Sequence, residues 1–300
     1  MKELIDVRIQ IKEFVEEISD KKSLDLYELL SSGKMLRSKL ILKIAGTSSA
    51  SIKLCAIVEM IHAASLLHDD VIDEATTRRG NASINALYDD KTAIMFGDIL
   101  YSKAFTELTL MPPLIAYTVS NAVTLLSVGE LLDVELSKNF NNSYKKYLDM
   151  INKKTASLIE ASAKSAAILA SKDEKAFAIY GKNLGLAFQM VDDILDITQD
   201  SKTLGKPAMF DFVEGKVTIP YLLLWDRLDT NGKEKLKSLY KKSLNKNELQ
   251  WIKENMTQTG ALNDSIKLVN KFANEAIDAI KNEKNKDLIN IMKDMCERTF

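Results

Sequence analysis

Proline and glycine are scarce in this chain: 4 and 11 in 300 residues, against average usage of roughly 5% and 7%. With so few residues that break or turn a backbone, long helices are the natural architecture, and plentiful Leu, Ile, Ala, Lys and Glu favour them. Cysteine is scarcer still. Cys55 and Cys296 are too few for a disulfide framework and suit a reducing cytoplasm. The histidines are His62 and His68. Glu59-Met60-Ile61-His62 is a Glu-x-x-His, but a di-iron bundle needs two such motifs, and Ser65 stands three before His68. Neither sign of charge is in excess: Lys plus Arg is 41, Asp plus Glu is 42, and the net charge is −1. That leaves no electrostatic footprint for nucleic acid. Met1 to Phe14 is charged and lacks an apolar h-region, so no signal peptide is expected. No apolar run approaches the ~18 residues of a membrane span. No linker interrupts the chain, so residues 1–300 read as a single all-α domain, although length alone would allow two.

The pattern of apolar residues places the helices. Ile5, Ile9, Ile11, Phe14, Val15 and Ile18 recur at helical spacing, so the chain opens on an amphipathic helix. Leu24 to Ser31 follows as a short helix ended at Gly33. Further helices are expected at about 35–46, 51–74 and 92–110. Pro112-Pro113 breaks the chain and starts a helix to about 137. Asn139 to Asn142 is a loop, and long helices cover about 144–171 and 173–199. Lys202 to Gly215 reads as an irregular loop. Val217 to Leu228 is apolar again, Asn231 to Glu254 is a solvated layer of short helices, and two more helices close the chain.

What the chain does have is one acidic pattern twice: Asp69-Asp70-Val71-Ile72-Asp73 and Asp192-Asp193-Ile194-Leu195-Asp196. On a helix, positions i and i+4 share a face, so Asp69 goes with Asp73 and Asp192 with Asp196. Carboxylates among core-forming residues are costly unless paired or metal-bound. If the two clusters faced each other across a bundle, their repulsion would demand cations. Oxygen ligands without Cys or His point to Mg²⁺, which takes substrate phosphate oxygens and water as its other ligands.

One Asp-Asp-x-x-Asp alone is weak, but cationic motifs accompany the pair. Gly33-Lys34-Met35-Leu36-Arg37 puts Lys and Arg at i and i+3 at a helix start, where free N–H groups and the dipole favour an anion. Arg78-Arg79-Gly80 follows the first acidic motif, and Arg suits bidentate phosphate contacts. Lys154-Thr155 opens a face of small residues. Gly205-Lys206-Pro207 and Gly215-Lys216 flank Asp211 after the second motif. Plainer roles fit other residues. His68, Asp89-Asp90 and Asp98 read as structural, capping or surface groups. Met60, Met95 and Met190 read as core filler, Cys55 as a buried small residue, and the Lys runs of 233–246 as solvated.

In this order, from about Gly33 to Pro220, the set resembles the trans-isoprenyl diphosphate synthases, or polyprenyl synthetases. The resemblance implies an isoprenoid-synthase helical bundle around a central apolar cavity, and a homodimer. It implies that Asp69, Asp70, Asp73, Asp192, Asp193 and Asp196 bind Mg²⁺, with Asp69, Asp73 and Asp192 as direct ligands. Arg78, Lys154 and Lys206, with Lys216 nearby, would hold an allylic diphosphate. Lys34, Arg37, His62 and Arg79 would bind isopentenyl diphosphate, and Gln189 and Thr155 would line the reacting centre. The family's Gly-Gly-Lys-x-x-Arg-Pro is here Ser32-Gly33-Lys34-Met35-Leu36-Arg37-Ser38. Met209 stands where a Gly is expected, and Asp133 where a Gln is expected three residues after Glu130. None of these changes removes a charged ligand.

The reaction implied is ionisation of the allylic diphosphate, head-to-tail attack by isopentenyl diphosphate and loss of a proton, repeated on an allylic product. A class I cyclase would carry an Asn/Asp-Ser/Thr-Glu second motif and would not need Lys34, Arg37 and Arg79. A non-catalytic regulatory subunit would tend to lose the acids kept here. A shorter-chain farnesyl or geranylgeranyl synthase is the nearer alternative. Apolar helices around 92–135 support a dimer, and a lipid product implies transient membrane contact without an anchor. The residues four and five before Asp69 are Ser65 and Ala64. Family members that stop at short products often carry aromatic residues there. Two small residues leave the cavity open, so a long all-trans product of about C40, for quinone side chains, is expected. Replacing Ser65 or Ala64 with Phe or Tyr should shorten the product on chromatography; an unchanged distribution in both variants would contradict the open cavity.

Overall fold

The computed structural model describes residues 2–31, 33–199 and 208–297. Its elements are helical apart from one two-stranded hairpin. The chain divides into two compact units: Met1–Val123 with Ala161–Ala178, and Thr124–Glu160 with Ile179–Phe300.

The first unit is organised by α4 (Ser49–Ile72). Ser48 caps it: the Ser48 hydroxyl accepts the Ser51 amide, and the Ser51 side chain accepts the Ser48 amide. Consecutive residues from Leu54 to Val58 are all fully buried, which marks a helix covered on every side. Its cover is α1 (Lys2–Glu16), α3 (Leu36–Ala45) and α6 (Asp90–Leu108). The short α2 (Lys21–Leu29) packs on α1 and α6. Asp20 caps α2 and Asp89 caps α6 by accepting the amides of Ser23 and Thr92.

Strands β1 (Thr77–Arg78) and β2 (Asn81–Ala82) follow α4 and pair antiparallel, Thr77 with Ala82 and Arg78 with Asn81. Arg79 and Gly80 form the turn with φ of 55° and 80°, the positive values a two-residue type I′ turn requires. The small α5 (Ile84–Leu87) leads into α6. The hydrophobic pattern shows neither the hairpin nor α5, because both are too short to have a period.

Helix α7 (Pro113–Leu136) begins at the double proline as expected. The expected helix at 144–171 is α8 (Tyr144–Ile151), a π-helical turn (Asn152–Ala156) and α9 (Ser157–Leu169) in one run. Then comes α10 (Glu174–Thr198). Within the expected loop of 202–215, residues 208–215 contain a helical turn, α11 (Phe210–Val213), and residues 202–207 lie outside the described residues. The last helices are α12 (Ile219–Arg227), α13 (Thr230–Leu239), α14 (Lys246–Gln258), α15 (Ala261–Ala279) and α16 (Lys286–Cys296). In the second unit α12 packs on α15, which also meets α14 and α16. Phe212 stacks on Tyr221 at 4.3 Å between ring centres, and Phe140 tilts against Trp225 at 4.7 Å.

Two expectations are corrected. Met95 is 57% exposed and not core, unlike Met60 and Met190, which are buried. Helices α4 and α7 are long and apolar enough to cross a membrane by composition, which a search for unbroken apolar runs overlooks because polar residues interrupt both. The apolar window of α4 is mostly buried.

Charge is also buried in the first unit. Glu107 of α6 accepts Lys53 Nζ at 2.8 Å and Lys103 Nζ at 2.7 Å, and Lys103 reaches Glu17 at 2.5 Å. Burial alone would raise the Glu107 pKa, but hydrogen bonds from Lys103 and Lys53 outweigh it and hold the carboxyl below its usual value. Glu107→Ala should destabilise the chain by about 3 kcal/mol in urea unfolding, because two cations lose their shared partner. A depressed folded pKa contributes stability above the unfolded pKa and loses it as pH falls through the folded value. The acid-side slope of stability should therefore flatten in Glu107→Gln; an unchanged slope and midpoint would show the cluster to be neutral.

Candidate functional site

The first acidic motif lies at the C-terminal end of α4. The helix closes at Ile72, and Asp73 is its C-cap, with its amide donating to the Asp69 carbonyl at 2.8 Å. Asp69 and Asp73 are half-buried, whereas Asp70 is buried. Asp70 faces the hairpin and is held there: Arg78 donates to Asp70 Oδ1 from Nε at 2.7 Å and also from Nη2. Asn85 Nδ2 donates to the Asp70 and Ala75 carbonyls at 3.2 and 3.0 Å. The three acids therefore differ, with one engaged by Arg78 and two on the partly exposed side. Ala64 and Ser65, one turn earlier, are buried, and Ser65 Oγ donates to the His62 carbonyl at 2.9 Å.

The hairpin also delivers Arg79. Its Nη1 donates to the Ser31 carbonyl at 2.9 Å. A Cβ on Gly33 would fall 2.6 Å from Arg79 Nη2, so the missing side chain at Gly33 makes room for this guanidinium. Arg37, Arg78 and Arg79 all act on His62. Burial first, then the three cations, drives its pKa well below the usual value. His62 is therefore neutral near pH 7, with one ring nitrogen able to donate and the other to accept. Lys34 is exposed. The α3 start is less open to an anion than its sequence suggests, because Glu59 takes the Ser38 amide at 3.2 Å. His68 is structural: its Nε2 lies 3.2 Å from the Ile94 carbonyl and 3.5 Å from Asp98, and a Cβ on Gly97 would meet its ring at 2.4 Å.

In the second unit the π-helical turn carries Lys154 and Thr155. Such turns widen a helix by one residue and often occur at functional sites. Lys154 Nζ lies 2.8 Å from Glu130 and 2.6 Å from Asp133, both on α7. Thr155 Oγ1 donates to Gln189 Oε1 at 2.7 Å, and Gln189 Nε2 donates to Asp193 Oδ1 at 3.0 Å. Tyr147 OH donates to the other Asp193 oxygen at 2.5 Å. Both oxygens of Asp193 are thus engaged by neutral donors. Its pKa is pushed up to about 8, by burial first and by Asp211 and Asp192, against the hydrogen bonds of Tyr147 and Gln189. Asp196 is buried and its Oδ2 accepts the Asp211 amide at 3.3 Å, while Asp192 is half-buried. Lys216 pairs with Glu214 at 3.1 Å. Lys206 lies outside the described residues.

The residues that sequence reasoning missed are those that hold the expected ones. Tyr147 and Glu59 carry no local signal, since their partners are 46 and 21 residues away. Glu130 and Asp133 registered only as a departure from the family pattern. Gly129 and Gly185 carry a signal that only packing reveals. A Cβ on Gly129 would lie 2.1 Å from the Lys154 amide nitrogen, and one on Gly185 would lie 2.5 Å from Ala156 Cα. The π-helical turn is thus pressed between bare backbone of α7 and α10.

As to a metal, the donors offered are carboxylate oxygens, and Asp69, Asp73 and Asp192 are those not wholly buried. Among the described residues no three His, Cys, Asp or Glu side chains form a ready-made cluster. Mg²⁺ needs none, because it is commonly held by one or two carboxylates together with substrate phosphates and water. The carboxylates of each motif, taken by itself, fit such an ion. Gly129→Ala should displace the Lys154 backbone, cost about 1–3 kcal/mol of stability by overpacking, and lower kcat, as urea unfolding and steady-state rates would record. A variant with native kcat would show that the turn shifts without consequence.

Residues 23–256 match the family model described as Polyprenyl synthetase. The chain is 45% identical to octaprenyl pyrophosphate synthase from Helicobacter pylori, whose crystal structure superposes with a TM-score of 0.94 over 98% of each chain. It is 32% identical over 266 residues to octaprenyl diphosphate synthase from Escherichia coli, covering 86% of this chain and 82% of that one. A polyprenyl synthase from Caulobacter crescentus, solved with calcium and isoprenyl diphosphate, is 30% identical with a TM-score of 0.90 over 100% of this chain and 95% of that chain. With a family match across most of its length and relatives this similar over nearly all of it, the chain belongs to the polyprenyl synthetase family.

Proposed function

We propose that this prenyltransferase condenses isopentenyl diphosphate head-to-tail onto farnesyl diphosphate, with Mg²⁺, to give an all-trans polyprenyl diphosphate of about C40 for a quinone side chain. The observation that carries the reading is the presence of both aspartate motifs together with a separate cationic group, Arg37 and Arg79, beside the neutral His62. One diphosphate needs cations brought by acids, and the second needs cations built into the protein. The long product is supported by the octaprenyl synthases among the relatives and by small residues at Ala64 and Ser65.

The roles follow from the chemistry of each group. Arg78, Lys154, Lys206 and Lys216 neutralise the allylic diphosphate and so favour its departure. Asp69, Asp73 and Asp192 would hold Mg²⁺, with Asp70, Asp193 and Asp196 behind them, and the ion, when bound, adds positive charge at the leaving group. Lys34, Arg37 and Arg79 grip the diphosphate of isopentenyl diphosphate, and neutral His62 adds a hydrogen bond. Thr155 and Gln189 line the reacting centre, with the Gln189 amide locked by Thr155 on one side and Asp193 on the other. No side chain in these motifs is an obvious base, so the departing diphosphate takes the proton.

The enzyme is proposed to work in the cytoplasm as a homodimer, with transient membrane contact to release its lipid. The dimer is supported by one face of α7, where Leu114, Tyr117, Val128 and Leu131 are exposed, Tyr117 and Leu131 at 70%. Exposed apolar residues gathered on one helix face favour an interaction surface.

Incubation with farnesyl diphosphate, labelled isopentenyl diphosphate and Mg²⁺ should give a ladder ending in one dominant product near C40. A chelator should abolish it, and Asp192→Asn should lower kcat at least about a hundredfold, the scale of several kcal/mol at the leaving group. A stop after one or two additions would refute the long product, and incorporation indifferent to chelation would refute the metal.

A further inference from the structure

Helix α3 starts without a cap of its own. Met35 occupies the N-cap with φ of 50° and makes no side-chain cap hydrogen bond. A first-turn amide then needs a partner from elsewhere. The partner comes from α4. Glu59 Oε1 accepts the Ser38 amide at 3.2 Å and the Ser38 hydroxyl at 2.7 Å. Cys55 Sγ, one turn earlier on α4, lies 3.7 Å from the Ser38 carbonyl. Ser38 is fully buried, so three of its polar atoms are tied to α4. A carboxylate at a helix N-terminus also complements the helix dipole.

Arg37 is the residue just before this anchor. Its Nε is buried and has no hydrogen-bond partner among the described residues, so its own side chain does not fix that nitrogen. Glu59 supplies opposing charge to both Arg37 and Arg79, and His62 lies one turn further along α4. A proline after the arginine, as the family pattern has it, would offer neither an amide hydrogen nor a hydroxyl. Ser38 offers both.

We propose that Glu59 is a positioning residue for the isopentenyl diphosphate site: through its two hydrogen bonds to Ser38 it fixes the first turn of α3 and with it the place of Arg37. Ser38, where the family pattern has proline, makes that turn depend on Glu59. The inference rests on the assignment of Arg37 and His62 to isopentenyl diphosphate.

The test is steady-state kinetics with each substrate varied separately, on Arg37→Ala, Glu59→Ala, Glu59→Gln, Ser38→Ala and the Ser38→Ala/Glu59→Ala pair, each with a thermal melt. Glu59→Ala should raise KM for isopentenyl diphosphate about tenfold, the size of one charge-assisted hydrogen bond, with KM for farnesyl diphosphate unchanged. Glu59→Gln keeps an oxygen acceptor and should recover part of the loss. The double variant should be no worse than Glu59→Ala alone, because the two side chains act as one unit. If Arg37→Ala raises KM for isopentenyl diphosphate while Glu59→Ala and Ser38→Ala leave it unchanged, the positioning role is overturned. Equal rises in both KM values with a lowered melting temperature would reduce Glu59 to a structural residue and overturn it too. If Arg37→Ala itself leaves that KM unchanged, the site assignment falls first and the inference with it.

Discussion

A carboxylate inside an apolar helix contact must find a donor or give up its charge, because the cost of desolvation exceeds what dispersion can return. This constraint recurs wherever acids enter the interior of the chain. Asp70 has Arg78, Asp193 has Tyr147 and Gln189, and Glu59 has Ser38. Glu107 has Lys53 and Lys103, and Glu130 and Asp133 share Lys154. Each partnership joins elements that the chain alone would leave independent. The hairpin is tied to the end of α4, α3 to the middle of α4, and the π-helical turn to α7. The acids that bring charge to the site also assemble the parts that carry it.

The two acidic motifs, alike in sequence, meet this constraint differently. In the first, Arg78 is a charged partner, so Asp70 forms an ion pair. In the second, the partners of Asp193 are a phenol and an amide, and its proton affinity rises instead. The reason is local. A type I′ hairpin directly after α4 can turn an arginine back onto the helix. Among the described residues after Asp196, Met209 to Gly215 bring the acid Asp211 near.

Close approach is the second constraint, and glycine meets it. Gly129 and Gly185 bring helix backbones against the π-helical turn, and Gly33 admits the Arg79 guanidinium. A helix widened by one residue needs space on both sides, and a side chain at either helix glycine would fill it. The positive φ of Arg79 costs on the order of a kilocalorie per mole, and the hydrogen bond to Ser31 and the room left by Gly33 make that conformation worth keeping.

The sequence by itself determined the helical class, nearly every long helix, and which charged residues are proposed for the site. Helical periodicity, punctuation by Pro112-Pro113 and repeated acidic motifs are properties of neighbours a few residues apart. What only the tertiary structure decided is how those residues are held: Glu59 under Ser38, Tyr147 on Asp193, Glu130 and Asp133 around Lys154, and the glycines that let the π-helical turn fit. Met95 was misread for the same reason, since helical spacing does not say which face a neighbour covers. These partners are 21 to 46 residues apart in the chain. No local pattern records such a pairing, because hydrogen bonds and ion pairs act over a few ångströms and depend on where the fold brings each group.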